Sequence, residues 1–69
     1  MKFSLKSQEY IELNKLLQIL SWADSGGEAK QIITEELVSV NGTIELRKRC
    51  KIRAGSVVAF NGETCKVVE

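Results

Sequence analysis

Residues 25–42, which read SGGEAKQIITEELVSVNG, decide the fold because their hydrophobic pattern changes from a helical period to a strand period. Ser25 and Glu28, three positions apart, form a capping box, which marks the start of a helix. We expect this helix to end near Glu36. Its apolar face recurs at helical spacing and consists of Ala29, Ile32, Ile33 and Leu37.

The hydrophobic period changes to two immediately after this helix. Val38 and Val40 alternate with a polar residue, and Asn41-Gly42 is the strongest short hairpin signal in the sequence. A second Asn-Gly pair at residues 61–62 predicts another hairpin. The remaining strands are expected at Thr43–Leu46, Ser56–Phe60, Thr64–Val68 and Phe3–Leu5.

A further helix is expected upstream of this region, from Tyr10 to Leu20, with Ser7 as its N-cap. Its apolar stripe consists of Tyr10, Leu13, Leu16, Leu17 and Leu20. A chain of 69 residues is expected to form one domain. The predicted fold class is therefore α+β, with two helices packed on a small, mostly antiparallel sheet in a single domain over residues 1–69.

Positive charge is concentrated in one segment, although the whole chain has a net charge of only +1. Residues 1–46 carry four Lys and seven acidic residues, a net charge of −3. Residues 47–69 carry six basic and two acidic residues, a net charge of +4. Five of these six basic residues lie between Arg47 and Arg53, and no acidic residue interrupts them.

A run of like charges repels itself, so the basic segment (residues 47–53) indicates an anionic ligand. Lys and Arg bind phosphates by displacing counterions, and Arg also forms forked hydrogen bonds and stacks on unpaired bases. The alternative is a charged sheet edge that prevents aggregation. If the segment is extended, Lys48, Cys50 and Ile52 share one face; if it is a loop, this alternation does not apply. The opposite face would carry Arg47, Arg49, Lys51 and Arg53.

The start of the helix at Ser25 is a second candidate anion site. Helix N-termini carry a partial positive charge and free amides that can receive a phosphate, and the two glycines here permit close approach. Lys30 lies one turn further along the helix. A single helical Lys is more often only solvated, and Asp24 and Glu28 oppose an anion at the first turn.

Other functions lack the residues that they need. The chain has no His and only two Cys, Cys50 and Cys65, too few for a closed zinc site. No nucleophile stands beside an evident base, so we expect no enzyme activity, metal or cofactor. The Cys count allows a disulfide, but the absence of a secretory signal predicts a cytoplasmic protein in which both Cys act as small apolar residues. Tyr10 and Trp22 could stack on bases, but core packing is the preferred interpretation.

Residues 25–33, SGGEAKQII, and 38–42, VSVNG, form a pattern that resembles the αL RNA-binding motif of the S4-like domain family. The pattern is a Ser at the helix start, Ala followed by a basic residue, two aliphatic residues, and then Val-x-Val-Asn-Gly. Residues 47–55, RKRCKIRAG, are similar to short stand-alone bacterial members. Two positions depart from the family: Glu36 stands where Gly is common, and Ser56 stands where Asp often follows the preceding Gly.

The resemblance implies two helices in an L-shaped arrangement on a small sheet, with structured RNA, such as ribosomal or transfer RNA, as the ligand. The implied RNA-binding residues are Ser25, Gly26, Lys30, Arg47, Lys48, Arg49, Lys51 and Arg53. We therefore expect a non-enzymatic RNA-binding module, with ribosomal or RNA-processing proteins as further candidate partners. The alternative is an adaptor whose basic segment docks on an acidic partner protein.

Overall fold

The computed structural model describes residues 1–69 and contains a five-stranded sheet, a two-stranded ribbon and two helices. The elements are β1 Lys2–Ser4, β2 Ile11–Glu12, α1 Leu13–Ile19, α2 Gly26–Thr34, β3 Val38–Val40, β4 Thr43–Ile44, β5 Lys51–Ile52, β6 Val57–Phe60 and β7 Glu63–Val68. The sheet has the order β1-β7-β6-β3-β4, and β2 pairs with β5 in the ribbon. Only the pairing of β1 with β7 is parallel. The predicted α+β class with a mostly antiparallel sheet is confirmed.

A single hydrophobic core joins the helices, the sheet and the ribbon. Its members are Leu5, Leu13, Leu16, Leu17, Ala23, Ala29, Ile32, Ile33, Val38, Ile52, Val58 and Val67. Trp22 packs against this core with its ring centroid 5.9 Å from that of Phe60, as expected. Cys65 is buried in β7 and packs as a small apolar residue, whereas Cys50 is half-buried at the edge of the core; both are free thiols.

Both Asn-Gly pairs form the predicted hairpin turns. Asn41 and Gly42 have φ values of +53° and +86°, and Asn61 and Gly62 have values of +52° and +81°. Positive φ at both central residues is the type I′ geometry, whose twist matches that of the flanking strands. β4 covers only the first half of the partner strand expected at residues 43–46.

The start of the first helix was predicted wrongly. α1 begins at Leu13 rather than Tyr10, and Ser7 is not its N-cap but lies in a turn with φ of +75°. Residues 11–12 form β2 instead, with Ile11 opposite Ile52 and Glu12 opposite Lys51. Apolar spacing could not reveal this strand, because its partner is remote in sequence. The N-cap of α1 is Glu12, whose side chain makes no capping hydrogen bond.

The second helix starts as predicted and ends slightly earlier than predicted. The Ser25 hydroxyl accepts a hydrogen bond from the Glu28 amide at 3.1 Å. The helix ends at Thr34, and Glu36 then takes a left-handed conformation with φ of +64°. This reversal removes Leu37 from the predicted apolar face, and Leu37 is 51% exposed. Neither helix has the length and hydropathy that crossing a membrane would require.

Candidate nucleic-acid interface

The basic segment begins with a turn that is fixed to the start of α1 by main-chain hydrogen bonds. The Cys50 amide donates to the Arg47 carbonyl at 3.1 Å and closes the turn. The Leu13 amide donates to the Cys50 carbonyl at 2.9 Å, and the Asn14 amide donates to the Lys48 carbonyl at 3.1 Å. These bonds satisfy first-turn amides that the Glu12 N-cap leaves without a side-chain partner. The main chain of the turn is therefore held in place without use of the Lys48 and Arg49 side chains.

All five cations of the basic segment are exposed. Residues 47–50 form a turn, so the loop alternative holds there and the alternation of an extended segment does not apply to them. The alternation applies after the turn, where Ile52 is 1% exposed in the core and Lys51 and Arg53 on either side of it face solvent.

Arg47 is bound by Glu45, an acidic residue that is not among the predicted site residues. The Arg47 guanidinium donates to both carboxylate oxygens of Glu45, at 2.9 and 3.1 Å, and the Arg47 amide donates to the same carboxylate at 2.9 Å. These hydrogen bonds lower the pKa of Glu45 to about 2. The signal available in the sequence was an opposite charge two residues away, since residues i and i+2 of an extended segment share a face.

Lys48 and Arg49, by contrast, make no side-chain hydrogen bond or ion pair within the protein. An open depression of about 380 Å³ lies beside them, lined by Arg47, Arg49, Cys50 and Lys51. Burial raises the pKa of the Cys50 thiol, so the thiol in this depression is neutral at physiological pH. The depression therefore presents cations to an anion and offers no activated nucleophile.

Tyr10 belongs to this surface, although core packing was the preferred interpretation. Its ring lies under two cations, with Lys51 Nζ 5.1 Å and Arg53 Cζ 5.6 Å from the ring centroid. These distances are within the range of cation–π attraction. Arg53 also approaches Glu9, at 3.9 Å between Nη1 and Oε2. The contact of Tyr10 with the two cations was not predicted, because Tyr10 fits the hydrophobic periodicity of the helix that follows it.

The start of α2 presents a second, less basic group. Ser25 and Gly26 lie at the first turn, and Lys30 is exposed without an ion-pair partner. The Ser25 hydroxyl caps the helix, and Glu28 Oε1 accepts a hydrogen bond from the Asp24 amide at 2.8 Å. This acidic side chain stands at the end where an anion would approach.

The two groups lie at opposite ends of α1. The basic turn is bonded to Leu13 and Asn14, whereas a Cβ placed on Gly26 would lie 3.8 Å from Gln18 near the end of the helix. A helix of seven residues is about 10 Å long, which sets the scale of the separation. No hydrogen bond or ion pair joins Ser25 or Lys30 to the basic segment. A ligand that contacts both groups must therefore span the length of α1.

Comparison with known proteins identifies the family. The model of the S4 domain matches residues 3–68. YbcJ of Escherichia coli (strain K12) is 47% identical over 66 residues, which cover 96% of this chain and 94% of YbcJ, and YbcJ of Shigella flexneri matches equally well. The solution structure of E. coli YbcJ is described as revealing an αL motif involved in RNA binding. It matches with a TM-score of 0.75 at 46% identity and covers 99% of this chain and 86% of that one. The chain belongs to the S4 domain family.

Proposed function

We propose that this chain is a non-enzymatic RNA-binding protein that binds structured RNA, such as ribosomal or transfer RNA, through the basic segment and the start of α2. Membership of the S4 domain family and the RNA-binding αL motif described for YbcJ support RNA as the ligand. The observation that carries the proposal is the exposure of five cations on a main chain anchored to α1. A fixed backbone presents these charges to phosphates with less ordering cost than a flexible loop would incur.

The first turn of α2 gives independent support, because the fold does not need its glycines. A Cβ on Gly26 would meet only Gln18 Nε2 at 3.8 Å, and a Cβ on Gly27 would meet only the Ser25 hydroxyl at 3.9 Å. Both distances are ordinary van der Waals contacts, and neither glycine has a positive φ. Glycine lowers helix stability relative to alanine. A ligand backbone that approaches this turn closely would account for two glycines that internal packing does not require.

Salt dependence separates phosphate contacts from other modes of binding. Each phosphate contact lowers the slope of log affinity against log salt by about 0.7 for single-stranded and 0.9 for double-stranded nucleic acid. Five contacts would give a slope near −3.5 for single strands, whereas the four cations other than Arg47, which Glu45 holds, would give a slope near −2.8. Fluorescence anisotropy with labelled bulk transfer RNA and labelled ribosomal RNA fragments, measured across a salt series, gives both the affinity and this slope.

Charge reversal within the basic segment tests the proposed surface. The triple variant Arg47→Glu, Arg49→Glu and Lys51→Glu should abolish RNA binding while the far-ultraviolet circular dichroism remains that of the parent. RNA affinity that survives this reversal, or that does not respond to salt, would contradict the proposal.

The matched control reverses three cations away from the basic segment. Lys2 and Lys66 pair across β1 and β7, and Lys6 lies in the following turn, and all three are exposed. The variant Lys2→Glu, Lys6→Glu and Lys66→Glu changes the net charge by the same amount and should retain most of the affinity. Equal losses in the two variants would show that only net charge matters. A pull-down repeated with ribonuclease tests the adaptor alternative, since partners retained after digestion would bind the protein directly.

A further inference from the structure

The ribbon of β2 and β5 places one aromatic ring beneath two cations. Ile11 pairs with Ile52 on the side that faces the core, and Glu12 pairs with Lys51. Continuing this antiparallel register by one residue sets Tyr10 opposite Arg53 on the outward side. The ring is then directly across from one cation and diagonal to the other, which explains the distances of 5.6 and 5.1 Å to its centroid.

Lys51 contacts the Tyr10 ring although a carboxylate lies opposite it in the ribbon. Glu12 stands directly opposite Lys51 in the ribbon, yet no ion pair joins them. The Lys51 ammonium lies over the Tyr10 ring instead. A carboxylate would occupy the N–H donors of the ammonium and cancel its charge. An aromatic face attracts the cation while leaving N–H donors available to another acceptor.

Arg53 shows the same preference in weaker form. Its contact with Glu9 is 3.9 Å long, whereas the Arg47 contact with Glu45 is 2.9 Å. Arg53 is therefore only loosely paired with an acid while it lies over the ring of Tyr10. Two cations two residues apart in a strand repel each other, and a shared aromatic ring offsets part of that repulsion.

We propose that Tyr10 is a positioning residue of the RNA-binding surface, which holds Lys51 and Arg53 side by side for neighbouring phosphates. The inference rests on the proposed function and deepens it. Long side chains lose rotamer freedom when they bind, and a ring that already orders two of them reduces that loss. Tyr10 acts through the two cations and not through contact of its own with RNA.

A double-mutant cycle tests this role, with the anisotropy assay and labelled bulk transfer RNA as the probe. Tyr10→Phe keeps the ring and should bind within twofold of the parent. Tyr10→Leu removes the ring and should weaken binding by roughly three- to tenfold. The salt slope of Tyr10→Leu should match that of the parent because the number of phosphate contacts is unchanged. In a Lys51→Ala, Arg53→Ala background, Tyr10→Leu should have no further effect beyond twofold.

Several results would overturn the inference. Parental affinity in Tyr10→Leu would do so, as would a loss in Tyr10→Phe equal to that in Tyr10→Leu. An undiminished effect of Tyr10→Leu in the double-alanine background would show that Tyr10 stacks on a base directly. Failure of the parent chain to bind any RNA would overturn the proposed function as well. If the parent binds RNA and Tyr10→Leu binds it with the same affinity, only the inference about Tyr10 is overturned.

Nuclear magnetic resonance of the parent chain provides a test that does not depend on the folding of a variant. The ring current of Tyr10 should shift the side-chain protons of Lys51 and Arg53 away from those of Lys48 and Arg49, which lie over no ring. Identical shifts in the two pairs would refute the placement of the cations over Tyr10.

Discussion

Replacement of Glu36 by glycine should stabilise the protein, because Glu36 holds a backbone conformation that glycine adopts without steric cost. Its φ is +64° at the end of α2. The Leu37 amide donates to the Ile32 carbonyl at 3.3 Å, and the Glu36 amide donates to the Ile33 carbonyl at 3.1 Å. These two bonds define a Schellman motif, in which glycine is the usual residue at the left-handed position.

Three contributions set the expected change in the free energy of unfolding, and one of them opposes the other two. The left-handed conformation costs a residue with a Cβ about 1–2 kcal/mol. Glycine increases the entropy of the unfolded chain, which reduces the gain in stability by about 0.4–1 kcal/mol. Removal of a carboxylate from the negative end of a helix adds about 0.3–1 kcal/mol at low salt. The net expectation for Glu36→Gly is about 1 kcal/mol of added stability, or a rise of about 4–8 °C in Tm for a domain of this size.

Urea denaturation and thermal unfolding of four proteins separate these terms. Glu36→Gln removes the charge, Glu36→Ala removes the charge and keeps the Cβ, and Glu36→Gly removes both. The free energy of unfolding should rise slightly in the first two variants and most in the third. If Glu36→Ala were as stable as Glu36→Gly, the positive φ would carry no cost and the reasoning would fail.

Three further predictions concern the hairpins and the Glu45–Arg47 pair. Asn41 and Asn61 share a φ near +53°, but only Asn41 Oδ1 accepts a strand hydrogen bond, from the Val57 amide at 2.9 Å. Asn41→Ala should therefore lower the free energy of unfolding by about 1 kcal/mol more than Asn61→Ala, as measured in urea. The pKa of Glu45 is lowered to about 2 from an ordinary 4.5, so the pair stabilises the fold fully above pH 4.5 and this contribution is lost towards pH 2. Arg47→Gln should return the carboxyl pKa, followed by carbon-detected magnetic resonance, towards 4.5. Glu45→Gln should release Arg47 for RNA and steepen the salt slope by roughly 0.7–0.9, and an unchanged slope would show that Arg47 gains no phosphate contact.

The sequence predicted those parts of the fold that local chemistry determines. Both Asn-Gly turns and the capping of α2 by Ser25 depend on residues within a few positions of one another, and all were predicted correctly. β2 was not predicted because its partner, β5, is remote in sequence. Tyr10 was therefore assigned to a helix on periodicity alone. A nonlocal pairing of two residues leaves no pattern that a single sequence can reveal.

The same distinction applies to the candidate site. Charge concentration is a local property, so the basic segment was visible in the sequence. The pairing of Arg47 with Glu45 and the position of Tyr10 beneath two cations depend on conformation, so they were not. These contacts make the five cations unequal: Lys48 and Arg49 are free, Lys51 and Arg53 share a ring, and Arg47 is already bound to a carboxylate.

The main chain of the basic segment also stabilises the fold. The carbonyls of Lys48 and Cys50 satisfy the first amides of α1, a helix with no side-chain cap of its own. A seven-residue helix is too short to be stable alone, so these bonds and the burial of its leucines must hold it. The side chains of the five cations in the segment take no part in these main-chain bonds. Charge reversal there should therefore remove RNA binding without removing α1, whereas a proline at Cys50, which would delete the amide that closes the turn, should disturb both. The separation of main-chain from side-chain roles is what allows one short segment to support the fold and to present its charges to a ligand.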